Sequence, residues 1–275
     1  MAQNDWTFTL VSSSAGATFL GGTSGSAFQH STITNPITGA GTWCRGFFAS
    51  GGLSPYRYAG LLPINNSQLT SSAGYEYGYG YSIRCWARAG FNNSNISYNA
   101  VYLTFKNQSN LSLTNTAAGN GSISPSSTAP RLTGYTLFLT ETKLQLVCAN
   151  SSSIGSFSGS LLPAQNAIGY SHIITTSSLF NRWIRLRMDV YPITGAYDRI
   201  NVYTASQAQE NNWQQVHTVD IPREKVGAYV PWANNPNDDG AQASGKGYLG
   251  AVVAASDNTS AAYIDQFEVY AEPLE

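Results

Sequence analysis

The sequence predicts an all-β protein built from two antiparallel sheets packed face to face. Three observations carry this. The stretch Asn181–Thr204 sets Arg182, Ile184, Leu186, Met188 and Val190 on one side and Trp183, Arg185, Arg187, Asp189 and Tyr191 on the other. That alternation is the period of a half-buried strand. Pro192 and Gly195 interrupt it as a hairpin connection does, and Ile200 and Val202 resume the core-facing side. Tyr75–Ala89 alternates in the same way, with Tyr75, Tyr77, Tyr79, Tyr81, Ile83 and Cys85 against Arg84, Trp86 and Arg88. Nowhere does a helical period persist for about ten residues. A hairpin cannot bury its apolar face alone, so a second sheet must cover it.

The remaining elements follow in order. DWTFTLV (Asp5–Val11) alternates and reads as a first strand. The Ser/Gly-rich segment to Ser31 reads as loops and short strands, Thr42–Phe48 as a strand, and Gly51–Ser72 as a loop. Val101–Phe105 is a strand, and Asn107–Arg131 a long polar loop or extension. Gly134–Leu139 and Lys143–Cys148 form a hairpin, and Ser171–Thr176 a short strand. Trp213–Val219 is a strand on which Trp213, Gln215 and His217 share a face. Pro222–Gly247 is polar, Tyr248–Ala255 is apolar enough for a central strand, and Tyr263–Tyr270 closes the chain. At most one helical turn is expected, near Ser206–Asn211. The domain expectation is a single unit over 1–275, with 1–74 contributing the first strand and loop or arm segments.

Composition narrows function. Charged residues make up 11% of the chain, against roughly 25% in ordinary domains, and polarity comes from Ser, Thr, Asn, Gln and 26 Gly. A net charge of −1 with no basic cluster gives no footprint for nucleic acid. No run approaches the roughly 18 apolar residues of a membrane span. The N-terminal residues show neither a basic nor an apolar signal region, so Asn65, Asn92, Asn95, Asn107 and Asn110 read as unused sequons. Cys44, Cys85 and Cys148, widely spaced, read as small buried hydrophobes without a disulfide or zinc pattern.

Catalytic constellations are not found. Asp265 and Glu268 are the closest acids on a strand, and their odd separation points them to opposite faces. His30, His172 and His217 sit in no metal motif, and His217 reads as a structural histidine. Asn237, Asp238 and Asp239, with Asn234 and Asn235, crowd hard oxygen donors into one loop, a weak calcium candidate without EF-hand spacing. No catalytic residue, metal or cofactor is assigned. The aromatic residues Tyr75, Tyr77, Tyr79, Trp86, Trp183 and Tyr191 are the candidate contacts for a glycan or a protein partner, because ring faces suit sugars, cores and interfaces alike.

Four segments in order resemble one family: YSIRCWARA (Tyr81–Ala89), GYTLFLTETKLQLV (Gly134–Val147), RWIRLRMDVYPITGAYDRINVYT (Arg182–Thr204) and YIDQFEVYAEPL (Tyr263–Leu274). They look like the strands of concanavalin A-like, laminin G-type jelly rolls, and the likeness covers about residues 75–275. It implies a two-sheet antiparallel jelly-roll sandwich with long polar loops. The family's frequent Asp-Gly after the second central strand is absent at Thr204–Ser206, which removes the ground for family-type calcium binding there. The weakly charged, Ser/Thr/Asn-rich composition resembles virion proteins of tailed bacteriophages. The expectation is therefore a non-enzymatic capsid-decoration or tail-associated subunit, made in the host cytoplasm, homo-oligomeric and in contact with other virion proteins. The alternatives are a lectin-like glycan-binding module for receptor recognition and, third, a jelly-roll glycanase.

Overall fold

The computed structural model describes residues 6–7, 17–20, 28–30, 44–46, 57–63, 79–89, 100–107, 134–140, 143–149, 168–175, 182–193, 197–209, 211–222, 248–255 and 262–273. These hold fifteen strands: β1 (Trp6–Thr7), β2 (Ala17–Leu20), β3 (Phe28–His30), β4 (Cys44–Gly46), β5 (Arg57–Pro63), β6 (Tyr79–Arg88), β7 (Ala100–Asn107), β8 (Gly134–Thr140), β9 (Leu144–Ala149), β10 (Ile168–Thr175), β11 (Ile184–Ile193), β12 (Tyr197–Ser206), β13 (Gln214–Pro222), β14 (Tyr248–Ala255) and β15 (Ala262–Pro273). One 3-10 turn, Gln207–Gln209, lies between β12 and β13.

The strands form a two-sheet antiparallel jelly-roll sandwich. One sheet has eight strands, ordered β13–β12–β11–β6–β15–β4–β3 with β1 also on β15; the other has seven, ordered β10–β9–β8–β7–β14–β5–β2. The expected hairpins are both present: β8 pairs with β9 and β11 with β12. β11 is hydrogen-bonded along both edges, to β12 and to β6. β14 lies between β5 and β7, the central position its apolar run predicts.

Alternation fixes the inner faces. Ile83, Cys85 and Ala87 of β6, Ile184, Leu186, Met188 and Val190 of β11, and Ile200 and Val202 of β12 are buried. They meet Val101 and Leu103 of β7, Tyr135, Leu137 and Leu139 of β8, and Leu144, Leu146 and Cys148 of β9, also buried. Two contacts across the gap identify these faces as the facing ones. The Tyr135 hydroxyl donates to Asp198 Oδ2 at 2.6 Å, and the Tyr170 hydroxyl is 2.9 Å from His217 Nε2. Cys85 and Cys148 are buried in this core and form no disulfide. The burial of Cys148 pushes its thiol up, and the nearby Asp198 adds to the effect.

Strands β7, β8 and β9 of the seven-stranded sheet are buried on their other face as well. Tyr102, Thr104, Thr136, Phe138 and Val147 point away from the eight-stranded sheet and yet are buried. Tyr102 and Phe138 stack there with centroids 5.7 Å apart. Thr104 Oγ1, Thr136 Oγ1 and Gln145 Oε1 on that face have no hydrogen-bond partner. Buried polar atoms of this kind are uncommon in folded proteins.

Three expectations are corrected. Arg57–Pro63, read as a loop, is a strand, because pairing with β2 and β14 organises a segment whose own alternation is weak. The first 74 residues thus hold β1–β5; of the expected first strand Asp5–Val11, Trp6–Thr7 is strand and the rest lies outside the described residues. Asp265 and Glu268 share a face: an irregularity between them places Asp265 opposite Trp86 and Glu268 opposite Arg84, two residues apart on β6. A second irregularity, between Val202 and Tyr203 in the β12–β13 pairing, separates Gln215 from His217. Gln215 stays on the outer face opposite Tyr203, and His217 turns inward opposite Val202.

The Tyr135–Asp198 bond joins the two sheets in a fully buried site. Replacing Tyr135 by Phe removes a hydrogen bond to a carboxylate at little change in volume. Its loss is expected to lower unfolding free energy by about 1.5–3 kcal/mol, read as a lower urea midpoint at unchanged slope. An unchanged midpoint contradicts this account.

Candidate functional site

The outer face of the eight-stranded sheet gathers charged and aromatic side chains. Register sorts them into rows across β15, β6, β11, β12 and β13. One row runs Asp265, Trp86, Arg185, Ala205; the next Glu268, Arg84, Arg187, Tyr203, Gln215; the third Tyr270, Ser82, Asp189, Asn201, Thr218. Tyr191, Arg199 and Asp220 form a fourth. The rows exist because alternate residues of each strand share a face and the strands are in register.

Two arginines organise the face. Arg187 grips Asp189, its neighbour two residues on, through Nε at 2.7 and 2.9 Å and Nη2 at 2.6 Å. Its guanidinium lies 4.8 Å from the Tyr203 ring centre and 5.9 Å from that of Trp213. Arg185 donates through Nη2 to Glu268 at 3.1 Å and through Nη1 to Asn211 at 3.2 Å. It sits 5.1 Å from Trp213 and 5.9 Å from Trp86. Trp213 thus takes both guanidinium groups on its ring, the arrangement that cation–π attraction favours. The Arg187–Asp189 pair is not an exposed strand pair. Asp189 is buried, and the desolvated bidentate geometry makes it stronger than a surface ion pair.

Exposure rises toward β13. Trp86 is fully buried and its indole Nε1 has no hydrogen-bond partner. Tyr191, Tyr203 and Trp213 are half-buried, while Gln215 and Thr218 are exposed. A chain of hydrogen bonds links Thr218 to Tyr191: Thr218 Oγ1 donates to Asn201 Oδ1 at 2.6 Å, and Asn201 Nδ2 to the Tyr191 hydroxyl at 3.0 Å. Burial pushes the Tyr203 phenol up, the charge of Asp189 adds to this, and Arg187 opposes it. Tyr203 is therefore a neutral hydroxyl at physiological pH. At the rim, Arg199 clamps Asp220 at 2.6 and 2.8 Å and holds its carboxyl below the usual range.

Of the candidate contacts, Trp86 and Tyr191 lie on this face. Trp183, just before β11, is buried, and Tyr79 opens β6 opposite Pro273. Tyr75 and Tyr77, and the oxygen-rich loop of Asn237, Asp238 and Asp239, lie outside the described residues. Among the described residues no group of three His, Cys, Asp or Glu side chains could hold a metal ion. Tyr203, Trp213 and Asn201 join the site unannounced by the sequence. The parity of Arg187 and Tyr203 was the available signal, but only the β11–β12 register makes them neighbours.

The contrast between two arginines gives a test. Arg187→Met leaves Asp189 buried without its clamp and is expected to cost about 2–4 kcal/mol. Arg199→Met, at an exposed pair, leaves the denaturation midpoint unchanged within error. Equal effects for the two variants contradict the account.

No family model and no curated protein matches the chain. Among solved structures, lectin II from Ulex europaeus aligns over 98% of this chain and 100% of its own at 7% identity, with a TM-score of 0.49. Peanut lectin aligns over 100% of both at 9% identity and 0.47. An endo-β-1,4-glucuronan lyase from the fungus Trichoderma reesei aligns over 93% of this chain and 95% of its own at 10% identity and 0.42.

Proposed function

We propose that the protein is a carbohydrate-binding module that holds its ligand, without cleaving it, on the outer face of β11, β12 and β13. The observation that carries this reading is the make-up of that face. Half-exposed rings of Tyr191, Tyr203 and Trp213 stand beside the amides and hydroxyl of Asn201, Gln215 and Thr218. Sugars present apolar C–H faces and rings of hydroxyls. Aromatic faces take the first, and amides and hydroxyls the second. The arginines of these strands are matched by acids, Arg185 by Glu268, Arg187 by Asp189 and Arg199 by Asp220. That balance favours an uncharged glycan over an acidic one.

A second reading is supported by composition: a structural subunit of a tailed-phage virion, made in the host cytoplasm and contacting other virion proteins or copies of itself. Its support is the 11% charged content, which suits contacts made without strong fields. Co-sedimentation with assembled particles tests it, and a chain that never accompanies particles rules it out.

The glycan reading is tested by an array of neutral oligosaccharides followed by calorimetric titration. Binding is expected with a Kd of roughly 0.1–1 mM, and Trp213→Ala and Tyr203→Ala each weaken it about tenfold, the 1.4 kcal/mol of one stacked ring. No binding at millimolar glycan, or undiminished binding by both variants, sinks the proposal.

A further inference from the structure

The outermost strands of the two sheets, β10 and β13, lie side by side. Three side chains bridge them. The Tyr170 hydroxyl is 2.9 Å from His217 Nε2. The His172 ring lies flat on that of His217, centroids 4.3 Å apart and planes 12° from parallel. Tyr170 and His172 sit opposite Cys148 and Leu146 on β9, and His217 opposite Val202 on β12; all three partners are core residues. The trio therefore faces the gap between the sheets. His172 is exposed, while Tyr170 and His217 are half-buried.

Two rings stacked in parallel cannot share one metal ion, because coordination places the ion in the plane of each ring. Their remaining chemistry is protonation. Neutral rings stack; two imidazolium rings at this separation repel. Burial pushes His217 below the ordinary histidine value of 6.5, and His172 pushes it further down. Among the described residues little else compensates from the elements packed around it. On β9 the facing group is the buried Cys148 thiol; on β12 it is Asp198, already bonded by Tyr135. Arg199 and Asp220 pair on the opposite face of the sheet.

We propose that Tyr170, His172 and His217 form an acid-sensitive latch between the two sheets, which below neutral pH releases β10 from β13. β13 also carries Gln215 and Thr218 on the candidate glycan face, and once β10 has left it is held by β12 alone, so release loosens part of that face. This last consequence rests on the glycan reading; the latch does not. The sign follows from linkage. A histidine that binds a proton less readily in the latched state stabilises that state fully above about pH 6.5, and the stabilisation is lost as the pH falls. Opening grows as the pH falls below about 6.5 and levels off below the lower midpoint of the latched form.

Amide exchange of the whole protein at pH 7.5 and 5.5, corrected for intrinsic rates and without ligand, tests the latch. Protection of 168–175 and 214–222 is expected to fall several-fold at pH 5.5, while 184–193 serves as the unchanged reference. H217Q keeps an amide for Tyr170 and cannot titrate, so it abolishes the pH dependence. In H172N the NMR titration midpoint of His217 moves up. Equal protection of the wild type at both pH values overturns the latch, as does an undiminished pH dependence in H217Q. Should H217Q not fold, an unmoved His217 midpoint in H172N overturns it. Glycan titration at the two pH values separates the readings. No binding at either pH refutes the glycan face and leaves the exchange result standing. Equal binding at both pH values, with exchange showing the strand released, overturns the coupling between latch and face.

Discussion

The alternation of β11 is the constraint on which the sandwich depends. Both of its edges are hydrogen-bonded, from Ile184, opposite Ala87 and Ser206, to Val190, opposite Tyr81 and Ile200. A slip of one residue against either neighbour moves Arg185, Arg187 and Asp189 into the core and Leu186 and Met188 out of it. Burying those charges unpaired costs several kcal/mol each. The register is therefore locked by chemistry on both faces at once. The same lock aligns Arg187 with Tyr203 and Arg185 with Trp86, so the candidate site is a by-product of the strand's packing.

Much of the architecture is legible from residues alone. The tight hairpins β8–β9 and β11–β12, the apolar β14 and the absence of long helices among the described residues follow from local patterns of period two. What escaped is whatever depends on a partner strand. A bulge adds a residue without changing the sequence's look, and it reverses the parity of everything beyond it. Val216 does this on β13, and the Gln266–Phe267 region does it on β15. Hence His217 turns inward to Tyr170, and Glu268 joins Asp265 on the outer face. β5 escaped for a related reason, since its strand character comes from β2 and β14 rather than from its own residues.

The site was legible in halves. Trp86 and Tyr191 stand out as aromatics on strong strands, whereas Tyr203, Trp213 and Asn201 acquire a role only through cross-strand neighbours. Trp86 also shows why an aromatic on an outer face is not thereby a contact surface. It is fully buried, and the ring that Arg185 and Arg187 leave half-exposed is Trp213. The two sheets differ in the same respect. The outer face of the eight-stranded sheet grades from buried at Trp86 to open at Gln215, while Tyr102, Thr136 and Phe138 of the seven-stranded sheet are buried on theirs.

The place of β15 has a consequence for how the molecule is made. It is inserted between β6 and β4, deep in the eight-stranded sheet, yet it follows every other described strand along the chain. During synthesis, β6 must wait with one edge unpaired while the chain grows from Arg88 to Ala262, about 175 residues, on the order of ten or more seconds at usual elongation rates. Such long-range closure makes for slow folding. It also leaves an open apolar strand edge that other nascent chains can occupy, so yield on expression should depend on chaperone supply and low temperature more than on the stability of the finished protein.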